Sequence, residues 1–195
     1  GDQIGQSAAN QIDGLADLGA ELSRALGRPV NDLWSMQNGY ALATRTGLEM
    51  IGAHLRETGD AAVNELAGHL RVGVHQGVEA TDGPSSPGPR VTQVFCSALP
   101  VAYGRWPQQL WQEFAQLILD AAYEATLLAG VLNSRQGGSN IVLLTLLGGG
   151  AFGNAPEWIH TALQRAISKT QGHGLDVRVV SYGQPSPQLQ TFVKV

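Results

Sequence analysis

The stretch IVLLTLLGGGAFGNAPEWIHTALQRAI, residues 141–167, constrains this chain more than any other. An apolar run stops at three glycines, Ala-Phe-Gly-Asn follows, and a helical pattern begins. The run Ile141 to Leu147 is short, aliphatic and bounded by turn residues, which predicts a buried strand. Four glycines among residues 148–153 exceed what a tight turn needs, because each glycine costs conformational entropy on folding. Bare backbone in that place is expected where a ligand approaches closely. Asn154 is expected to cap the next helix, Pro156 suits its first turn, and Glu157 stands three residues after Asn154 as a capping-box partner. Loop and helix start would together offer free N–H groups to an anion, above all a phosphate, at the edge where open α/β sheets bind ligands.

The rest of the chain supplies layers for such a strand. Residues 3–70 read as helical: Ile12, Leu15, Leu18, Leu22 and Leu26 recur at helical spacing, and Gly27-Arg28-Pro29 is a stop. Leu42, Thr46, Met50 and His54, beside Leu48, Ile51 and Leu55, suggest a second helix, and Asp60 to Leu70 a third. The pattern changes at Leu70. LRVGVHQGVEA reads as a strand with a glycine interruption, TDGPSSPGP as a loop, and RVTQVFCSALPVAY as a strand buried on both faces. From Pro107 a long helix carries a broad apolar stripe that includes Leu110, Phe114, Leu117, Ile118, Ala121 and Ala125. DVRVVSYG is the last strand, and QPSPQLQTFVKV an irregular tail. This alternation predicts an α/β fold, a three-layer mixed sheet flanked by helices. Residues 1–70 would form a helical segment packed on an α/β core over 71–195, one domain in all.

Composition narrows the function. A formal charge of −4 with only 12 Lys and Arg argues against nucleic acid or an anionic membrane surface as partner. The single cysteine, Cys96, rules out an intrachain disulfide and favours a reducing compartment, and no leader or membrane-length apolar run is visible. The expectation is a cytoplasmic protein. The five histidines lack zinc-ligand spacing, so no metal site is expected.

Which phosphate ligand the loop takes is open at the level of residues alone. Gly148-Gly149-Gly150-Ala151-Phe152-Gly153 satisfies GxGxxG, so a Rossmann-type NAD or FAD domain is a competing reading. That fingerprint belongs to an opening βαβ unit with an acid closing the second strand. Here the strand ends in Ser181 and Tyr182, and the nearby acid, Asp176, opens it. A P-loop is excluded because no Gly-Lys-Ser/Thr is present.

LTLLGGGAFGNAPEWIHTAL resembles the diphosphate-binding loop of macrodomains, and is most similar to the poly(ADP-ribose) glycohydrolase-like branch with its bacterial ADP-ribosylhydrolases. The resemblance covers about residues 90–183 and takes in the last strand, VRVVSYG. It implies a macrodomain-like sheet and an ADP-ribose ligand, with no further cofactor, and hydrolysis of ADP-ribose from modified protein. It also implies that the backbone of Gly148, Gly149, Gly150, Ala151, Phe152 and Gly153 wraps the pyrophosphate. Phe152 would press on the distal ribose, Asn154 would hold the loop, and Tyr182 would lie near the adenine. The family's second, catalytic glycine-rich loop has no clear counterpart in residues 1–90. SAAN (7–10) and MQNGYALAT (36–44) read more readily as helix starts. This implies a fragment or rearranged domain, or a second chain that completes the fold. A non-catalytic reader of ADP-ribose, or a fragment whose sheet edge binds a partner chain, are the alternatives.

Hydrolysis of a ribosyl bond wants a carboxylate to orient water or stabilise an oxocarbenium-like state. Glu79 and Asp82, which follow His75 on a strand-to-loop transition, are the catalytic candidates, although acids on a surface loop are more often simply solvated. Cys96 reads as a core residue, Trp106 and Trp111 as packing residues, and Trp158 as a core or groove residue beside the loop.

Overall fold

The computed structural model describes residues 11–81, 83–181, 183–184 and 187–192. Its hub is a helix of 28 residues, and everything else is arranged around it. The N-terminal helix α1 (Ala16–Leu26) buries Leu18 and Leu22 and ends at Gly27 in a left-handed conformation, as the Gly-Arg-Pro stop implies. A single turn, α2 (Val30–Leu33), leads into a hairpin of β1 (Trp34–Gln37) and β2 (Tyr40–Ala43). Helices α3 (Arg45–Glu57) and α4 (Asp60–Ala67) complete this half.

The hairpin corrects the all-helical expectation for this region. Asn38 and Gly39 both take positive φ, 51° and 81°, as the two-residue turn favoured by Asn-Gly requires. Leu42 therefore lies on a strand. Helix α3 begins only after Thr44, whose hydroxyl accepts the Gly47 amide at 2.9 Å.

Strand β3 (Gly73–Glu79) pairs antiparallel with β4 (Arg90–Phe95), and the register shifts between His75 and Val78. Gly77, at φ 61°, makes the interruption expected from the sequence. A short 3₁₀ turn, Val101–Tyr103, precedes the hub α5 (Gln108–Arg135). Then come β5 (Ile141–Leu144), the glycine loop with a 3₁₀ turn at Gly150–Phe152, and α6 (Pro156–Lys169). Strand β6 (Asp176–Val179) and the terminal turn-rich helix α7 (Pro187–Phe192) follow, the latter within the tail read as irregular.

The fold is mixed α/β, but the strands form three separate two-stranded sheets, β1–β2, β3–β4 and β5–β6, where one continuous three-layer sheet was expected. The reason lies in how α5 holds each pair. Thr92 donates to Asn133 at 2.8 Å, fastening β4 to the helix. On the β5 side, Gly130 lets Val142 approach where a side chain would collide, and the Tyr123 hydroxyl donates to the Thr145 carbonyl at 2.8 Å. Each pair thus rests one face near α5 and turns the other outward. Phe95 on β4 is 54% exposed and Leu143 on β5 64%, so neither strand is buried as its apolar sequence suggested.

One hydrophobic cluster runs through both halves of the chain, from Leu18, Trp34 and Ile51 to Phe114, Leu144 and Leu163. Helix α5 contributes Trp111, Phe114 and Ile118 to it and packs against α3, α4 and α6. By length and composition α5 matches a membrane span, contrary to the sequence reading, but half of its most apolar window is buried inside this cluster.

Candidate functional site

The site begins where β5 runs out. Tyr123, buried on α5, grips the chain there twice: its hydroxyl donates to the Thr145 carbonyl at 2.8 Å and accepts the Leu147 amide at 2.7 Å. Burial pushes this phenol up to about 12, so it stays protonated and able to donate. Two turns of loop follow. Gly148, Gly150 and Gly153 all adopt left-handed φ, at 77°, 70° and 69°. Gly148 lies so close to Ala98 and Asn154 that an added Cβ would stand 2.5 Å and 2.6 Å from their atoms. At Gly153 an added Cβ would be 2.8 Å from that of Ala102. These glycines serve conformation and close packing against residues 98–102 together, which accounts for part of the glycine excess without any ligand.

Asn154 does not cap α6. The N-cap is Ala155, with no side-chain hydrogen bond, and the expected capping box is not formed. Asn154 instead turns inward, 5% exposed, and its Nδ2 donates to the carbonyls of Leu99 (2.8 Å) and Gly148 (3.2 Å). Leu99 also accepts the Val101 amide at 3.0 Å, so the Asn154 side chain adds a second bond there and fastens the loop to that segment. The Asn154 backbone amide also donates to Gly148 at 3.0 Å, closing the loop on itself. Asn154 therefore holds the loop, though by a different bond from the expected cap. Pro156 opens α6 and Glu157 lies in its first turn, both as expected.

Within the loop the amides of Gly149 and Gly153 are used, donating to Leu146 (3.1 Å) and Gly150 (3.0 Å). Those of Gly150, Ala151 and Phe152 donate to no acceptor among the described residues. Three successive N–H groups are thus left unused between a parallel strand's carboxyl end and the start of α6. Such an arrangement stabilises an anion.

The loop also carries an aromatic contact that the sequence reading missed. Phe152 meets Tyr40 of the β1–β2 hairpin and Tyr103 of the 3₁₀ turn, edge to face, with centroids 5.8 and 5.5 Å apart, and the two tyrosines are 5.3 Å from each other. Three segments distant in sequence are tied together at the loop's surface. Only an Asn-Gly turn reading of residues 37–40 would have brought Tyr40 within reach of Phe152.

Beyond Tyr40 opens a groove of about 700 Å³, lined by residues of the α1 approach, the β1–β2 turn, Leu70–Gly73 and Phe95–Pro100. Cys96 lines it; burial raises its thiol above the ordinary value, against the opposing contact with Thr126, so it is no activated nucleophile. A second cluster joins α4, α5 and α6. Glu124 binds Arg165 at 2.7 Å and Lys169 at 2.8 Å, Arg165 reaches Asn64, and Asp120 accepts from Gln116 at 2.7 Å. Burial raises the Asp120 carboxyl despite Gln116 and Arg165. For Glu124, burial also raises, but Lys169 and Arg165 outweigh it and hold the carboxyl below its ordinary value. The cluster is electrically balanced and braces three helices.

Of the catalytic candidates, Glu79 sits at the end of β3 and accepts the Gly88 amide at 2.9 Å, inside its own hairpin. None of its hydrogen bonds reaches the loop. Asp82 and Tyr182 lie outside the described residues. Asp176 pairs with Ile141 at the opening of both strands, at the opposite end from the glycine loop, and is held by Arg178 at 2.6 Å. That position does not suit the ribose-binding acid of a dinucleotide fingerprint. Trp106 donates its indole N–H to the Ala43 carbonyl at 3.0 Å, Trp111 is fully buried, and Trp158 is nearly so beside the start of α6. Among the described residues no cluster of His, Cys, Asp and Glu has metal-binding geometry. No family model matches this chain, and neither a curated protein nor a solved structure matches it.

Proposed function

We propose that this chain binds ADP-ribose, free or carried on a protein, with the diphosphate on the amides of Gly150, Ala151 and Phe152. The observation that carries the proposal is the row of three unused N–H groups beside the N-terminus of α6. The pinned ends of the loop support it: Tyr123 and Asn154 hold the backbone in place before any ligand arrives, so little ordering cost falls on binding. The macrodomain-like element in this proposal is β5, the loop, α6 and β6, a parallel strand–helix–strand unit; it does not depend on a continuous sheet. A nicotinamide or flavin cofactor is less well supported, because Asp176 lies at the wrong end of β6.

Binding is better supported than hydrolysis, since Glu79 is engaged within the β3–β4 hairpin. Calorimetric titration of the chain with ADP-ribose, NAD and AMP tests the assignment. ADP-ribose is expected to bind more tightly than either. Phe152→Ala and Gly149→Glu are each expected to weaken it about tenfold, equivalent to about 1.4 kcal/mol. Equal affinity for NAD, or variants without effect, would overturn it. Release of ADP-ribose from a modified protein over hours would make the chain a hydrolase; retention would make it a reader.

A further inference from the structure

The groove beyond Tyr40 has a chemistry of its own. Two exposed rings border it, Tyr40 and Phe95, with Met36, Leu99 and Ile118 as apolar wall. Phe95 is steadied by His75, whose ring meets it edge to face at 5.3 Å. Of its charged side chains, Arg71 is paired with Asp17, and the Asp13 carboxylate accepts the Leu15 amide at 2.8 Å and keeps its charge. It also offers two side-chain amides, those of Gln11 and Asn38. Asn38, held at positive φ in the hairpin turn, lines the groove and its side chain has no partner among the described residues. A volume with aromatic walls, a carboxamide and one carboxylate suits a nucleobase, which stacks on rings, exchanges paired hydrogen bonds with an Asn side chain and can donate an amino group to a carboxylate.

The groove also adjoins the loop. Tyr40 touches Phe152 on one side and lines the groove on the other. Residues 98–100 form the groove wall while Leu99 and Ala98 support Asn154 and Gly148 of the loop. We propose that this groove is the nucleobase subsite for the ligand whose diphosphate lies on the glycine loop, with Phe95 and Tyr40 meeting the faces of the base and Asn38 its edge. This rests on the diphosphate assignment above, and adds where specificity resides. The cation of the groove, Arg71, is already paired with Asp17, which makes the groove a poor place for the diphosphate itself. Its volume, about 700 Å³, is within the ordinary range for small-molecule sites.

Three probes separate the two halves of the site by backbone-amide NMR on the full chain. Adenosine is expected to shift residues 38–40 and 95–98 only, inorganic pyrophosphate residues 149–152 only, and ADP-ribose both sets. In titrations, Phe95→Ala and Asn38→Ala are each expected to weaken ADP-ribose binding about tenfold and pyrophosphate binding less than about twofold. Both residues are exposed, and a melting curve matching that of the parent chain confirms that each variant folds. If adenosine leaves residues 38–40 and 95–98 unmoved, the nucleobase subsite is overturned while a pyrophosphate response keeps the loop assignment. If adenosine binds there and pyrophosphate does not bind the loop, the diphosphate assignment falls and the groove remains an independent nucleoside site. Silence with all three probes overturns both.

Discussion

The glycine loop after β5 and the β3–β4 hairpin both depend on left-handed glycines, yet they are built in opposite ways. Gly148 sits at φ 77° and is pressed between Ala98 and Asn154; Gly77 sits at φ 61° with nothing within 4 Å of the place a side chain would occupy. Around the loop, Tyr123 and Gln108 of α5 hold the backbone, and the loop's own Asn154 ties it to the distant Leu99 carbonyl. The hairpin satisfies itself: Arg90 donates to the Gly77 carbonyl at 2.7 Å and Glu79 accepts the Gly88 amide. Glycine in the hairpin serves a backbone angle alone. In the loop it serves an angle and a packing contact at once, which makes the loop a rigid part of the core and leaves its unused amides in fixed positions.

The comparison breaks most directly at the two glycines. Gly148→Ala combines a disfavoured φ with overpacking, and is expected to cost roughly 3 kcal/mol in denaturant unfolding. Asn154→Ala follows at about 1.5 kcal/mol, because the two Nδ2 bonds are lost while the Leu99 and Gly148 carbonyls keep the backbone amides of Val101 and of residue 154 as donors. Gly77→Ala should cost only about 1 kcal/mol, the conformational part by itself. Were Gly77→Ala as damaging as Gly148→Ala, the distinction between the two regions would be lost.

Acid titration sharpens the same contrast, because residues 145–154 carry no ionisable side chain and pH should act elsewhere. Glu124, held below its ordinary value, contributes stability above that ordinary value, lost as pH falls through the lowered one. Asp120, raised by burial, does the reverse: its contribution is fullest in acid and is lost as pH rises from the ordinary carboxylate value through the raised one. Glu124→Gln should therefore flatten the acid-side loss of stability and Asp120→Asn should steepen it, followed by urea midpoints across roughly pH 3 to 6. At neutral pH the Glu124→Gln cost should stay below about 1 kcal/mol, since its cationic partners remain partly solvated.

Much of the loop's setting was legible locally. The stop at Gly27, the bulge at Gly77 and the stripe of α5 each arise from neighbouring residues and appear where the pattern predicts, whereas β5 starts at Ile141 as expected but ends at Leu144, short of Leu147, and is only partly buried. The Asn-Gly turn was equally legible and was passed over, because the helical spacing of the leucines around it offered a competing pattern. Asn154 was identified as a residue that matters, but for a local bond it does not make. Its real partner, the Leu99 carbonyl, is 55 residues away, and no local rule leads there. The meeting of Tyr40, Tyr103 and Phe152 is of the same kind.

By itself the sequence determined a mixed α/β chain with a long apolar helix, and a glycine loop between a strand and a helix, because hydrophobic period and glycine's steric freedom act over a few neighbouring residues. Tertiary structure alone decided that the strands pair two by two, that a buried tyrosine and asparagine pin the loop, and that an aromatic-walled groove opens beside it. Those outcomes depend on which distant surfaces α5 brings together, and on the need of each buried carbonyl and ring to find a partner there.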